Sequence, residues 1–409
     1  VYLYARKEEV EREALTQLIN LAESPLPEGF VAAMPDVHVG KGIAIGTVFA
    51  SSKYICPNAV GVDIGCGVCA IPIGGLYRED LSPDKLAQIQ RRLKQLIPTG
   101  FSEHKSPLPR SAAVLEEICH DHEPSPWILS MLRGRDCKAA KQLGTLGGGN
   151  HFLEVVHDET GQVWAMLHSG SRNIGNETAR RYDRLAQQWM AERSVTPPAG
   201  GLNYIPVDSE AGRRYLADME WCQRYALENR RAMMGLVLEA VAGAAPAAAP
   251  EERRLINVHH NYCECRRCRY TDPRTGRTEE RDLWVTRKGA TSAAEGQLGI
   301  IPGSMGVGSY VTLGRGNPNS WSSCSHGAGR RMSRTRAANT IQQDEFEAAM
   351  KGIVCDTDPR VIDEAPQAYK DLDAVMRLQQ SLVDIKHRLT PLINVKGFGK
   401  VPKRSRRSG

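Results

Sequence analysis

The chain has no apolar run close to the roughly 20 residues that a membrane-spanning helix needs, and its charged opening, VYLYARKEEVERE, is unlike a signal peptide. A cytoplasmic enzyme with no membrane partner is therefore expected. None of its glycine-dense stretches ends in Gly-Lys-Ser/Thr as a P-loop does, and none fits the Rossmann pattern, which disfavours the standard nucleotide folds. A regular, even set of cysteines is also missing. The eleven present are irregularly spaced and read as reduced thiols and metal ligands rather than as a disulfide framework. Net charge is scarce outside the C-terminus: of the formal +6, five charges belong to Lys400, Lys403, Arg404, Arg406 and Arg407 in an acid-free tail. The body is then nearly neutral, and charge alone argues for neither nucleic acid nor membrane.

What is there begins with length, since 409 residues suffice for a large buried core. Helical spacing of apolar residues predicts helices over 8–22, 82–96, 177–192, 209–242 and about 367–389. Between them lie β-rich runs, VWAMLHSG, LINVHHNY, DLWVTRKGA and SYVTLG, each with Gly, His or Asn at or next to its end. Helices and strands do not alternate strictly and no repeat is present, so the expected fold is α+β: one large domain, 1–397, of mixed β-sheets surrounded by helices. Residues 398–409 are expected to form a disordered basic tail.

Chemistry is suggested by where the histidines sit. His38, His151, His168, His260 and His326 all occur in Gly, Asn, Ser or Asp contexts at strand ends and loops. VDIGCG places Asp63 and Cys66 three residues apart between glycines, a tight loop able to aim a carboxylate and a thiolate at one point. Any single histidine is more often a hydrogen-bonded structural residue, and Cys66 alone reads as a small buried hydrophobe. Their co-occurrence gives a mixed O/N/S donor set suited to Mn²⁺, Zn²⁺, Fe²⁺ or Co²⁺. His326 differs, with Ser, Gly and Ala around it and Arg330, Arg331, Arg334 and Arg336 after it. Guanidinium groups there suit a phosphorylated or nucleotidylated imidazole, against a solvated basic helix start. Cys263, Cys265 and Cys268 in CECRRC read either as an extra metal site lacking a fourth ligand or as thiols on a surface excursion.

Ten motifs in order, MPDVHVGKG, AVGVDIGCG, GTLGGGNHFLE, LHSGSRNIGN, HHNY, TRKGA, IIPGSMG, SHGAGRRMSR, AYKDLDAVM and VKG, resemble the RtcB family of RNA-splicing ligases from Met34 to Gly397. The resemblance implies an RtcB-type fold and a GTP-dependent enzyme with two Mn²⁺ ions. It would join a 2′,3′-cyclic phosphate or 3′-phosphate RNA end to a 5′-hydroxyl RNA end, in tRNA splicing or RNA repair. It implies one ion on Cys66, His168 and His260, the other on Asp63, Cys66 and His151, and His326 as the guanylylated nucleophile. Asn150, Glu154, Ser309, Tyr369 and Lys396 match nucleotide-contacting positions. Arg172 and Arg330 are candidates for holding phosphates or RNA, Asp36 and His38 are expected to border the site, and His259 to support the ligands.

The partners expected are RNA with these ends, with an archease-type activator as an open addition, and the chain is expected to be a monomer. Two alternatives stay open: a 3′-phosphate guanylyl-capping enzyme that does not seal, and a metallophosphoesterase acting on RNA cyclic phosphates. A non-catalytic RNA-binding protein would predict decayed ligands and a basic body, neither of which is present. Relative to the family pattern, the start is expected to be about a dozen residues short and the CECRRC to TGRTEE region longer.

Overall fold

The computed structural model describes residues 1–134, 136–246 and 248–398. Its centre is an eight-stranded antiparallel sheet. Across it the strands run Ile256–His259, Gly67–Tyr77, Gln162–Ser169, Phe152–His157, Val383–Lys396, Ser309–Gly314 and Leu298–Pro302, with Ala249–Pro250 added beside Gly67–Tyr77. Both faces of this sheet are covered, and the period of two shows which residues go where. Cys69, Ile71, Leu153, Val155 and Leu167 pack with Leu86, Ile89 and Leu93 of helix Pro83–Leu96 and with Met233 and Val237 of helix Glu210–Ala242. Their neighbours Val68, Ala70, Phe152, Val156, Trp164 and Met166 form a second cluster on the opposite face with Ile300, Val311 and Leu389.

A five-stranded sheet runs in the order Tyr2–Leu3, Glu28–His38, Ile45–Ser51, Thr278–Lys288, Asn261–Thr271. Its long hairpin pairs Asn261 with Lys288 and Thr271 with Thr278, which leaves Asn261–Thr271 as the edge strand. A two-stranded piece, Ala290–Ser292 with Ser323–Ser325, carries the chain to His326. No helix among the described residues is long and apolar enough to cross a membrane.

Four of the expected helices are present, as Arg12–Glu23, Pro83–Leu96, Arg172–Glu192 and Glu210–Ala242. Ser82 and Ser209 cap two of them by accepting from Lys85 N and Gly212 N. The fifth expectation, a helix over 367–389, is corrected: only Leu372–Leu378 is α-helical, after a single 3₁₀ turn at Pro366–Ala368, and Val383–Lys396 is a strand. The Phe398 ring lies 4.0 Å from the Arg360 guanidinium, and 399–409, the rest of the expected tail, lie outside the described residues.

The cysteine-rich run is corrected too. It is not a surface excursion but a paired strand, and all eleven cysteines are free. Cys263 is buried with the helical cluster around Trp221 and Tyr225, whereas Cys268 is buried among Phe30, Tyr270 and Trp321. Positions five apart on a strand face opposite ways, so these two thiols cannot share an ion.

Candidate metal centre and nucleotide pocket

Three strand ends on one face of the eight-stranded sheet meet at the site. Register places His168 opposite both Val68 and Phe152, Glu154 opposite Asn394, and Lys396 opposite Phe152. Directly paired residues share a face, so His168, Glu154, Asn394 and Lys396 are brought together by pairing alone. Asp63 and Cys66 arrive on the loop before Gly67–Tyr77, His151 on the loop before Phe152, and His260 between the strands ending at His259 and starting at Asn261. Glycine permits the crowding. A Cβ on Gly170 would lie 2.3 Å from Asp63 Oδ1, and one on Gly147, at φ +92°, would meet His151 Nδ1 at 2.6 Å.

The donor atoms converge in two groups that share Cys66: Cys66, His168 and His260, and Asp63, Cys66 and His151, each with its ligand atoms within 4.8 Å. Cys66 Sγ lies 3.3 Å from His151 Nε2 and 3.2 Å from His168 Nε2; His168 Nε2 lies 3.2 Å from His260 Nε2, and His151 Nε2 3.0 Å from Asp63 Oδ2. Such spacings suit ligands around an ion with bonds of about 2.0–2.3 Å. The outer nitrogens fix the ring orientation, with Nδ1 of His151 against Leu146 O at 2.8 Å and Nδ1 of His168 against Asn150 O at 3.2 Å. With each Nδ1 donating to its carbonyl, the Nε2 lone pairs point inward. Burial holds the His168 and His260 imidazoles well below their ordinary range, with neighbouring histidines adding to it, so both are neutral and can offer a nitrogen lone pair to a cation.

Burial pushes the Cys66 thiol well up, with Asp63 adding to it, so a metal ion is the agent able to make it a thiolate. Burial also acts to raise Asp63, but its contact with His151 outweighs that and holds the carboxylate below its ordinary range. The residues therefore fit a pair of divalent cations bridged by Cys66. His259 lies outside both groups. Its Nδ1 is 2.8 Å from Gly65 O and 3.2 Å from Arg230 Nη2, while Arg230 Nη1 donates to Gly65 O and Ser169 O at 2.8 and 2.9 Å. Arg230 is fully buried and braces the loop that presents Cys66. It was missed in the sequence, although its position on the stripe Cys222, Ala226, Arg230, Met233 of a long helix was a signal: a cation has no place on an apolar face unless it is paired.

Beside the metal donors lies a cavity of about 280 Å³ lined by Asn150, Glu154, Ser309, His326, Tyr369 and Lys396, with His38, His168, Arg330 and Arg334 also on its wall. The His326 ring stands edge-on to His260, centroids 4.9 Å apart. Its Nδ1 lies 2.6 Å from Oδ2 of Asp36, whose carboxyl is fully buried. Burial works to raise that carboxyl, and the His326 contact more than offsets it, leaving Asp36 below its ordinary range. Asp36 thus holds His326 with Nδ1–H bonded behind it and Nε2 free. His38 turns its Nδ1 to Asp36 O at 2.9 Å, and burial lowers it to about 4.

Glu154 accepts from Asn394 Nδ2 at 2.6 Å, and burial raises it to about 7. Arg330, expected as a phosphate holder, is committed to the wall. Its donors go to Met332 O, Asp363 O, Glu364 and the Tyr369 hydroxyl at 2.6–3.2 Å. Glu364 and Asn394 were not singled out in the sequence, and Arg334 was named only as one of the cations that follow His326. Glu364 accepts from Lys396 Nζ (2.7 Å), Arg334 Nη1 (2.7 Å), Arg330 Nη1 (3.1 Å) and the Tyr369 hydroxyl (2.7 Å). Arg172 is not on this cavity. With Asp63, His151, Lys138 and Arg180 it lines a second one of about 520 Å³, which also reaches Asn150. The two cavities flank the metal donors.

The sequence compares accordingly. The model of the family described as tRNA-splicing ligase RtcB matches residues 17–397. RNA-splicing ligase RtcB of Escherichia coli (strain K12) is 40% identical over 408 residues, covering 97% of each chain. RNA-splicing ligase RtcB of Mycobacterium tuberculosis is 32% identical over 93% of this chain and 100% of its own, and tRNA-splicing ligase RtcB of Aeropyrum pernix 30% identical over 90% and 88%. Similarity of this extent spans every loop that delivers a donor to the site, and the chain therefore belongs to the tRNA-splicing ligase RtcB family.

Proposed function

We propose that the chain is a GTP- and Mn²⁺-dependent RNA ligase that seals a 2′,3′-cyclic phosphate or 3′-phosphate end to a 5′-hydroxyl end through a guanylylated His326. The observation that carries this reading is the position of His326, backed by buried Asp36 and set between the metal donors and the cavity wall. Family membership supports the RNA-joining activity, and the donor groups support the metal requirement.

Asp63, Cys66, His151, His168 and His260 would hold two ions, which supply charge neutralisation to phosphate oxygens and hold them in place. Nε2 of His326 attacks the α-phosphorus of GTP; a P–N bond forms as the P–O bond to pyrophosphate breaks. Asp36 keeps the proton on Nδ1 and offsets the positive charge that develops on the ring, the role of a buried carboxylate behind a reacting imidazole. A terminal 3′-phosphate, formed from any cyclic phosphate by addition of water, then attacks the same phosphorus and returns His326 to its starting state. The RNA end now carries GMP as a leaving group, and the 5′-hydroxyl oxygen of the second RNA displaces it to make the phosphodiester. Asn150, Glu154, Ser309, Tyr369 and Lys396 bind the nucleotide, and Arg172, in the second cavity, faces the RNA. Arg330 supports that wall through Tyr369 and Glu364 rather than meeting phosphate itself.

The test is incubation with α-phosphate-labelled GTP and Mn²⁺, followed by denaturation. Acid-labile label is expected on the wild type and none on His326→Ala, with metal content equal in both. Label retained by the variant would overturn the assignment.

A further inference from the structure

The hairpin edge strand Asn261–Thr271 carries three arginines that nothing above employs. Consecutive residues from Arg266 to Thr271, together with Thr278 and the loop residues Gly316, Pro318, Asn319, Trp321 and Ser322, line a cavity of about 410 Å³. Because six successive residues touch it, the cavity runs along the open edge of the strand, where one side of the backbone has no partner strand. No acidic residue lines it.

Its arginines differ in commitment. Arg267 is held by Glu280 at 3.2 Å and Asp282 at 3.8 Å across the hairpin. Arg266 has only a long contact with Glu264, 3.7 Å. The Arg269 side chain is exposed and has no ion pair or hydrogen-bond partner among the described residues. Three apart on a strand, Arg266 and Arg269 face opposite ways, so their guanidinium groups, neither held by a close ion pair, flank the open edge from its two sides, beside the hydroxyls of Thr271, Thr278 and Ser322 and the amide of Asn319. Forked N–H donors of this kind match phosphate oxygens.

The aromatic residues decide what kind of phosphate compound fits. Tyr270 and Trp321 are each only 3% exposed, their rings 5.0 Å apart and packed on Phe30. Their polar ends are taken as well, Trp321 Nε1 by Phe30 O and the Tyr270 hydroxyl by Glu279. No ring face is open for a base to stack on, so the groove reads backbone and not sequence. Trp321 precedes His326 by five residues, a reach of at most about 18 Å, so the groove lies within a few nucleotides of the proposed reacting centre.

We infer that this groove, through Arg266 and Arg269, is a docking site for the sugar-phosphate backbone of the single-stranded RNA being joined, away from its reacting end. The inference rests on the chain acting on RNA, and it gives a body of little net charge a local electrostatic hold on its substrate.

The experiment measures binding of a fluorescent 20-nucleotide RNA and a 4-nucleotide RNA of the same 3′ end to the full chain between 50 and 200 mM NaCl. The proteins compared are wild type, Arg266→Ala/Arg269→Ala and Arg266→Lys/Arg269→Lys. The alanine pair should weaken the long RNA several-fold and lower its salt slope by about 1.4, two contacts at about 0.7 each. The lysine pair should keep the slope, the short RNA should bind alike to all three, and labelling by GTP should be unchanged. An unchanged long-RNA slope would overturn the inference, as would equal weakening of the short RNA or loss of GTP labelling in the alanine pair. Self-association of the alanine pair in sedimentation with RNA binding intact would also overturn it, showing that the arginines only guard the strand edge. Failure of wild type to take label strikes the ligation mechanism instead, and the salt slopes then decide the groove on their own.

Discussion

Cys66 is the one side chain common to both donor groups, so its removal differs in kind from removal of any other ligand. Cys66→Ala is expected to lose both bound Mn²⁺ ions, and Asp63→Ala only one, as read by equilibrium dialysis and metal analysis; two ions retained by Cys66→Ala would refute the bridge. In the proposed reaction Asp36 would act through the His326 ring and not on the phosphate. Asp36→Asn removes the charge and allows the imidazole its other tautomer, so guanylylation of His326 should slow by about 10²–10⁴-fold in single-turnover labelling while metal content holds. A rate within twofold of wild type would show that the 2.6 Å contact is only structural. The histidines were legible because each sits in a Gly, Asn, Ser or Asp context at a strand end or loop. The partner of His326 lies 290 residues away, and no local pattern marks it.

The segment after Leu372 shows how an element can be misread. Val375, Leu378, Leu382, Ile385 and Leu389 follow one another at steps of three and four, the spacing of an apolar helix face. The helix ends at Leu378, and Ile385, which that face would bury, is 53% exposed. What decides the outcome is pairing on both sides, with Ser309–Gly314 and with Phe152–His157, and Pro391 is accommodated at a register shift between Pro391 and Ile393. That strand delivers Asn394 and Lys396, so the cavity exists only because the periodic signal lost.

Glu364 joins elements in the same way, tying the turn Pro359–Glu364 to helix Arg334–Thr340 and to the Lys396 strand. Burial alone would raise its carboxyl, but Lys396, Arg334 and Arg330 lower it to about 2 from 4.5. A depressed acid contributes stability that is complete above its unfolded value and lost as pH falls through the folded one, here between about 4.5 and 2. Glu364→Gln should remove that acid-side slope and, by leaving Lys396 buried without its partner, destabilise the fold by about 3–5 kcal/mol in urea titration at pH 7. An unchanged slope would show that the cluster is not coupled to folding.

Across the whole molecule the metal donors come from the loops of the eight-stranded sheet and from His260 at the root of the five-stranded sheet's hairpin. Cations held there would link the two sheets, and binding to the folded state alone adds about 2.7 kcal/mol at a hundredfold excess over the dissociation constant. Chelation should therefore lower the melting temperature by a few degrees and Mn²⁺ restore it, while Cys66→Ala melts alike in both; equal melting of the wild type with and without chelator would refute the link.

The sequence by itself determined the α+β class, four of the helices, the glycine-flanked donors and the resemblance to the ligase family, because periodicity, turn chemistry and short motifs are local properties. Only the tertiary structure decided that Asp36 backs His326, that Arg330 is consumed by Glu364 and Tyr369, that Arg172 faces a second cavity, and that Cys263 and Cys268 belong to different cores. Each of these depends on which distant segments pack together and on which hydrogen bonds burial then demands, and such contacts leave no period in the chain.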